Sequence, residues 1–279
     1  MRKMALTLVM AALPSLAQGE TSYLLKPHHQ RAGQVVSIRS TSTSSDGKII
    51  IQQGAETTEG AMSIQRKRVI ERRVVTSGGA TGLSYKIISD TTLTTNELGS
   101  EKRAQRFSPL SGKTAIGYQV SMGRWHLYLA DQTATNRQAV ELAELEAYAN
   151  RRLFSPQAVK IGQSWQVDPA FFRHIVLRDL GDIKLKATMT LKEVKNIDGE
   201  STAVLAFNLD TVGVKGDSAS QSAATASINA TGTMHLSLDT MLDREFSLTG
   251  TSKTTAIQGD NTTTAIIPFN MRITKSIGH

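Results

Sequence analysis

Histidine is the side chain best suited to acid–base or metal chemistry near neutral pH, and this chain has six: His28, His29, His126, His174, His235 and His279. A zinc centre needs ligands at short, recurrent spacings, and no such spacing links these residues. The adjacent pair His28-His29 leaves a loop metal site as the one such arrangement to consider. The serines include no G-x-S-x-G elbow, which would place a nucleophile on a strand-to-helix turn. Glu141, Glu144 and Glu146 are close in sequence, but at helical spacing they make the polar side of one element rather than two carboxylates facing across a substrate. There is no glycine-rich phosphate loop. The sequence therefore assigns no catalytic residue, no metal ligand and no cofactor, and the chain reads as a non-enzyme. A hydrolase built from residues far apart in sequence is the catalytic alternative.

Charge leads to a similar reading. The net charge is +8, which favours anionic envelope surfaces but bears on solubility before function. The densest basic run is Arg66-Lys67-Arg68 followed by Arg72-Arg73. On a strand Arg66 and Arg68 project to one side and Lys67 to the other, so the run is expected to form a solvated strand face. It lacks the interleaved aromatic residues that stack nucleic-acid bases, so no nucleic-acid partner is expected.

The elements that must carry these residues begin with an export signal. Met1, Arg2 and Lys3 give a positive start, Met4 to Leu16 a short apolar stretch, and Ser15-Leu16-Ala17 a small-x-small cleavage site. That stretch is shorter than the roughly 20 apolar residues of a membrane-spanning helix, and no later run reaches that length. The mature chain is expected to start at Gln18, in the periplasm or outside the cell. Cysteine is absent, so packing alone must stabilise the exported chain, which suits a bacterial host.

From Ile183 to Ile273 apolar and polar residues alternate with period two. Leu185, Ala187, Met189 and Leu191 share one face; Ala203, Leu205, Phe207 and Leu209 repeat the pattern after a turn at Asn196-Ile197-Asp198-Gly199. A Gly- and Ser-rich connection near Gly213 to Ser222 leads to Ile228, Ala230, Met234 and Leu236, with Gly232 in the apolar row marking a bend or bulge. A turn at Gln258-Gly259-Asp260-Asn261 precedes a strand in which Pro268 calls for an edge position or a bulge. The N-terminal half holds shorter strand-like runs separated by turns at Asp46-Gly47, Gly78-Gly79 and Gly112-Lys113. Between the halves, Asn136 to Leu153 has helical spacing, with Leu142, Leu145, Ala149 and Leu153 on one side and Arg151 and Arg152 at the negative end of the dipole.

The fold class is thus all-β, mainly antiparallel, with one connecting helix. It divides into a signal peptide (1–17), an N-terminal β half (18–133), the helix segment (134–155) and a C-terminal meander (156–279). Long alternating strands also fit a membrane barrel, but aromatic residues are only 5% and form no girdles.

Three stretches in order carry a family resemblance: Phe107-Ser108-Pro109-Leu110-Ser111-Gly112-Lys113, the helix, and Val159-Lys160-Ile161-Gly162-Gln163-Ser164-Trp165. Together they resemble a family of exported bacterial β-rich proteins of unknown function. In that family a P-L-x-G-K turn precedes a strand and a P-x-x-V-K-V-G-D-S-W segment follows a helix. Pro156, Val159, Lys160, Gly162, Ser164 and Trp165 match, and Gln163 replaces the usual acidic residue. The resemblance implies an open, curved sheet or half-barrel similar to periplasmic lipoprotein carriers, and it carries over no catalytic residue.

A curved sheet with one apolar face leaves a pocket when its helix covers only part of that face. The leading expectation is therefore a non-catalytic envelope protein binding an apolar or amphipathic ligand on the concave face. Trp125, Trp165, Met189, Phe207 and Met234 are the residues to inspect for contact, though each also suits a core. The competing expectation is that Leu142, Leu145, Ala149 and Leu153 insert fully among Leu185, Met189, Leu205, Phe207 and Met234. The protein would then be a structural module or a partner of another envelope protein, with no small ligand.

Overall fold

The computed structural model describes residues 21–27, 31–77, 80–98, 100–120, 124–168, 182–217 and 222–278. Residues 1–17, where an export signal is expected, the expected Gly78-Gly79 turn, and His28, His29, His174 and His279 lie outside them. In chain order the elements are β1 (Ser22–Tyr23), β2 (Val35–Gln53), β3 (Glu56–Ser77), β4 (Ala80–Asn96), β5 (Lys102–Phe107), β6 (Thr114–Gln119), β7 (Trp125–Leu129), α1 (Asn136–Ala149), β8 (Val159–Lys160), β9 (Ser164–Gln166), β10 (Asp182–Ile197), β11 (Glu200–Asp217), β12 (Ser222–Ser237), β13 (Asp243–Gln258) and β14 (Asn261–Gly278).

The strands form one antiparallel 12-stranded sheet, in the order β7-β6-β4-β3-β2-β14-β13-β12-β11-β10-β9, with β5 beside the far half of β4. The path has two ends, so the sheet is open. A separate two-stranded pair joins β1 and β8. The N-terminal and C-terminal strands meet where β2 pairs with β14, from Val35↔Gly278 to Gln53↔Asn261.

The C-terminal alternation becomes hairpins with the turns the sequence supplies. Asp198 and Gly199 take φ of 53° and 85° between Ile197 and Glu200, the double left-handed turn that suits the twist of two strands. Strand lengths depart from the sequence reading. Asp46-Gly47 does not turn the chain; β2 continues through it, with a register shift against β3 between Ser44 and Gly47. β11 likewise runs on past Gly213 to Asp217. Pro268 sits in an interior strand at an irregularity: β14 pairs with β13 throughout but loses register with β2 between Ile266 and Asn270. Gly232 holds regular register on both sides and serves close approach instead, since a Cβ there would lie 2.2 Å from the Ser247 carbonyl oxygen.

The face carrying the large apolar residues, here the inner face, is covered in two places. Over the N-terminal strands, Leu142 and Leu145 of α1, with Leu110, close a cluster containing Val36, Ile38, Ile70, Leu83, Tyr85 and Ile87. Each such leucine contributes about 1.5–3 kcal/mol by leaving water. Over the C-terminal strands, Leu25, Leu153, Val159 and Val167 cover Met189, Leu205, Phe207, Met234 and Leu236. The helix therefore does not insert among the C-terminal residues; only Leu153, beyond its end, reaches them.

Thr135 caps α1 in a capping box with Gln138. The helix stops at Ala149, so Arg151 lies past its last turn. Its guanidinium still serves the negative end of the helix, donating to the Tyr148 carbonyl of the last turn (2.8 Å), and it donates to Asp243 as well (3.2 Å).

Candidate ligand-binding face

Cross-strand neighbours in a sheet share a face, so the strand register locates the inner residues. Beyond the two covered clusters the inner rows continue toward the β2–β3 and β13–β14 turns. There β2 contributes Ile49 and Ile51, β3 contributes Met62 and Ile64, and β14 contributes Ala265 and, by its register with β13, Ile267. All six are half-buried and belong to neither apolar cluster. Phe269 and Met271 continue the row toward the C-terminal cluster, against which they pack. At the β3 margin Gly60 has room for no side chain, because the Leu98 Cα would lie 2.9 Å from a Cβ there. That contact folds Leu98 over the rim.

Beside this apolar stretch lies a polar belt. Arg66 Nη2 is 2.9 Å from Asp90, and Arg68 pairs with the same carboxylate, which is 1% exposed. Burial alone would raise the Asp90 pKa, but hydrogen bonds from Arg66 and the charge of Arg68 outweigh it and hold the carboxyl below its usual range. The expected solvated basic face is thus partly internal: a buried carboxylate orients Arg66 and Arg68 on the inner face, while Lys67 and Arg73 take the exposed side. Sequence spacing carries no signal for this: by period two Asp90 falls opposite the face of Leu83, Tyr85 and Ile87, and only the register shift at Val69/Ile70 brings it into the inner row.

A second ionic group separates the two clusters. Asp243 binds Lys275 and Arg151, and the Arg151 guanidinium carbon stacks 3.9 Å from the Tyr148 ring centroid. Burial would lift the Asp243 pKa, yet Lys275 and Arg151 together bring it down to about 2.

The residues singled out from sequence occupy core positions. Met189, Phe207 and Met234 are 0%, 1% and 2% exposed inside the C-terminal cluster. Trp165 is half-buried at its edge, with its indole N–H donating to the Leu153 carbonyl at 2.8 Å. Trp125 packs against the N-terminal cluster. The structure brings Met189, Phe207, Met234 and Trp165 together and leaves Trp125 apart. The family-like turns also have structural work: Gly112 and Gly162 adopt φ of 76° and 86°, and Leu110 and Val159 are buried.

His126 stands 3.0 Å from Glu146, whose carboxylate also accepts the Leu127 N–H. Asn150 closes a two-way contact with the Trp125 backbone, accepting its N–H at 2.7 Å and donating to its carbonyl at 2.8 Å. α1 thereby satisfies the free edge of β7. Among the described residues no group of three or more His, Asp or Glu side chains could hold a metal. The opposite face carries a depression of about 300 Å³ lined by Asn208, Thr231, Gly232, Thr233, Ser247 and Thr249. It is polar, whereas a pocket was expected on the apolar face.

No family model matches the chain, and no curated protein matches it. Among solved structures it is similar to a lipovitellin chain described for its lipid–protein interactions. The TM-score is 0.50 at 10% identity, covering 90% of this chain but only 26% of that one. At that identity the likeness is one of fold, and this chain corresponds to about a quarter of the lipovitellin chain. An outer-membrane channel from Pseudomonas putida F1 aligns with TM-score 0.25 at 7% identity, over 89% of this chain and 97% of the channel.

Proposed function

We propose that this protein is an exported, non-catalytic component of a bacterial envelope that holds an apolar or amphipathic ligand against the uncovered stretch of its inner sheet face. One observation carries the reading: Ile49, Ile51, Met62, Ile64, Ala265 and Ile267 continue the inner apolar rows past both clusters and belong to neither. Each is half-buried, so the row offers apolar area that neither cluster uses and that a ligand could cover. The fold shared with lipovitellin, a protein with described lipid interactions, agrees with this use of an open sheet. Export rests on the N-terminal signal pattern.

Native mass spectrometry of protein purified without detergent tests the reading. The expected result is an added mass that is released on denaturation and extracts into organic solvent. A clean apo mass, unchanged after incubation with envelope lipids, would count against a ligand and favour the protein-partner alternative.

A further inference from the structure

The rim of the apolar stretch narrows the class of ligand. On the inner face, Arg106 of β5 pairs with Thr92 of β4, which pairs with Arg66 of β3; four residues away, Lys102 pairs with Asn96, which pairs with Met62. Register therefore puts Lys102, Arg106 and Arg66 on the same face as Met62 and Ile64, within one to two strand spacings, roughly 5–10 Å. Lys102 and Arg106 are exposed.

The negative groups on this face are unevenly placed. Asp90 is occupied by Arg66 and Arg68, and Glu141 and Glu144 act on Arg66 from α1. All three lie toward the helix end. Glu97 and Glu101 are near Lys102 in the chain but stand one residue out of phase with the inner row of β4 and β5. Glu56, opposite Gln53, is on this face at the far β2–β3 tip; the positive excess thus collects along β5, one strand beyond the apolar stretch across the polar row Thr92, Thr94 and Asn96 of β4. A row of aliphatic side chains bordered on one side by cations is complementary to an amphiphile with an anionic head.

We propose that the ligand is an anionic amphiphile, its chain lying over Ile49, Met62, Ile64 and Ile267 and its head group meeting Lys102 and Arg106. This rests on the apolar-ligand reading above.

The test uses two probes with the same acyl chain, myristoyl lysophosphatidylglycerol (anionic) and myristoyl lysophosphatidylcholine (zwitterionic). Both are titrated below their micelle concentrations into purified protein stripped of lipid. Wild type is expected to bind the anionic probe roughly fivefold more tightly, as two exposed cations allow. Rising salt should erode that preference. The double variant K102A/R106A, altered only at exposed positions, should bind both probes with the affinity wild type has for the zwitterionic one. Equal binding of both probes by wild type, or a preference that survives K102A/R106A, overturns the head-group assignment while leaving the apolar site standing. Binding of neither probe overturns both.

Discussion

Replacing Asp243 by Asn removes the carboxylate that, among the described residues, compensates Lys275 between the two apolar clusters. The Lys275 side chain is 1% exposed and that of Asp243 10%, so water cannot take over the lost partner. The drop of the Asp243 pKa from its ordinary 3.8 to about 2 corresponds to about 2–3 kcal/mol of preference for the ionised, paired form. Removing one member of a buried pair costs about 3–5 kcal/mol in other proteins. The expected loss is therefore about 3 kcal/mol, or about 6–12 °C in Tm for a chain of this size. Urea unfolding followed by tryptophan fluorescence reads it directly, since Trp125 and Trp165 report on different clusters.

The pH profile supplies an independent check. Because Asp243 is depressed in the folded state, its contribution is complete above about pH 4 and is lost as pH falls toward 2. D243N should lack that part of the acid limb. The double variant D243N/K275M should recover only part of the loss, because Lys275 is gone but Arg151 also loses its carboxylate partner. A D243N protein within about 0.5 kcal/mol of wild type at pH 7 would refute the reasoning.

Gly232→Ala should destabilise by about 1–3 kcal/mol, because the new methyl meets the backbone oxygen of Ser247 rather than a side chain that can swing away; thermal unfolding measures it. Thr135→Ala removes the α1 cap and should cost about 1 kcal/mol in the same assay. Ile267→Asn should abolish the solvent-extractable added mass with a urea midpoint close to wild type, because Ile267 belongs to neither cluster. Glu146→Ala leaves the Leu127 N–H at the β7 edge without its acceptor, and light scattering on heating should show earlier aggregation.

The C-terminal hairpins were legible because burial of one face imposes a period of two and Asp198-Gly199 dictates a turn. The N-terminal strands were harder to bound. In β3 the inner row of Arg66 and Arg68 interrupts the apolar alternation, and pairing with Asp90 across the ladder is invisible in a linear chain. Asp46-Gly47 had the composition of a turn, yet a bulge uses the same residues. The helix was found, but its destination was not: helical spacing gives the apolar side of α1 without saying which half of the sheet receives it. The contact residues proposed from sequence were large and apolar, and so is a core; burial separates Met189 and Phe207, inside the C-terminal cluster, from the half-buried Ile64 and Ile267, which belong to neither cluster.

The seam between β2 and β14 governs how this sheet is completed. Its two strands lie near opposite ends of the chain, as the pairs Val36↔Ile277 and Ile51↔Thr263 show. The strands on either side form through local hairpins, whereas this ladder must wait until both are available and then close a loop of more than two hundred residues, a slow step by contact order. Until it closes, each half presents an unpaired edge. Ser37, Ser40, Thr41, Ser42 and Thr43 in β2 and Thr262, Thr263 and Thr264 in β14 make those edges polar. The two halves can thus wait with hydrated borders until the final zipper joins them into one sheet.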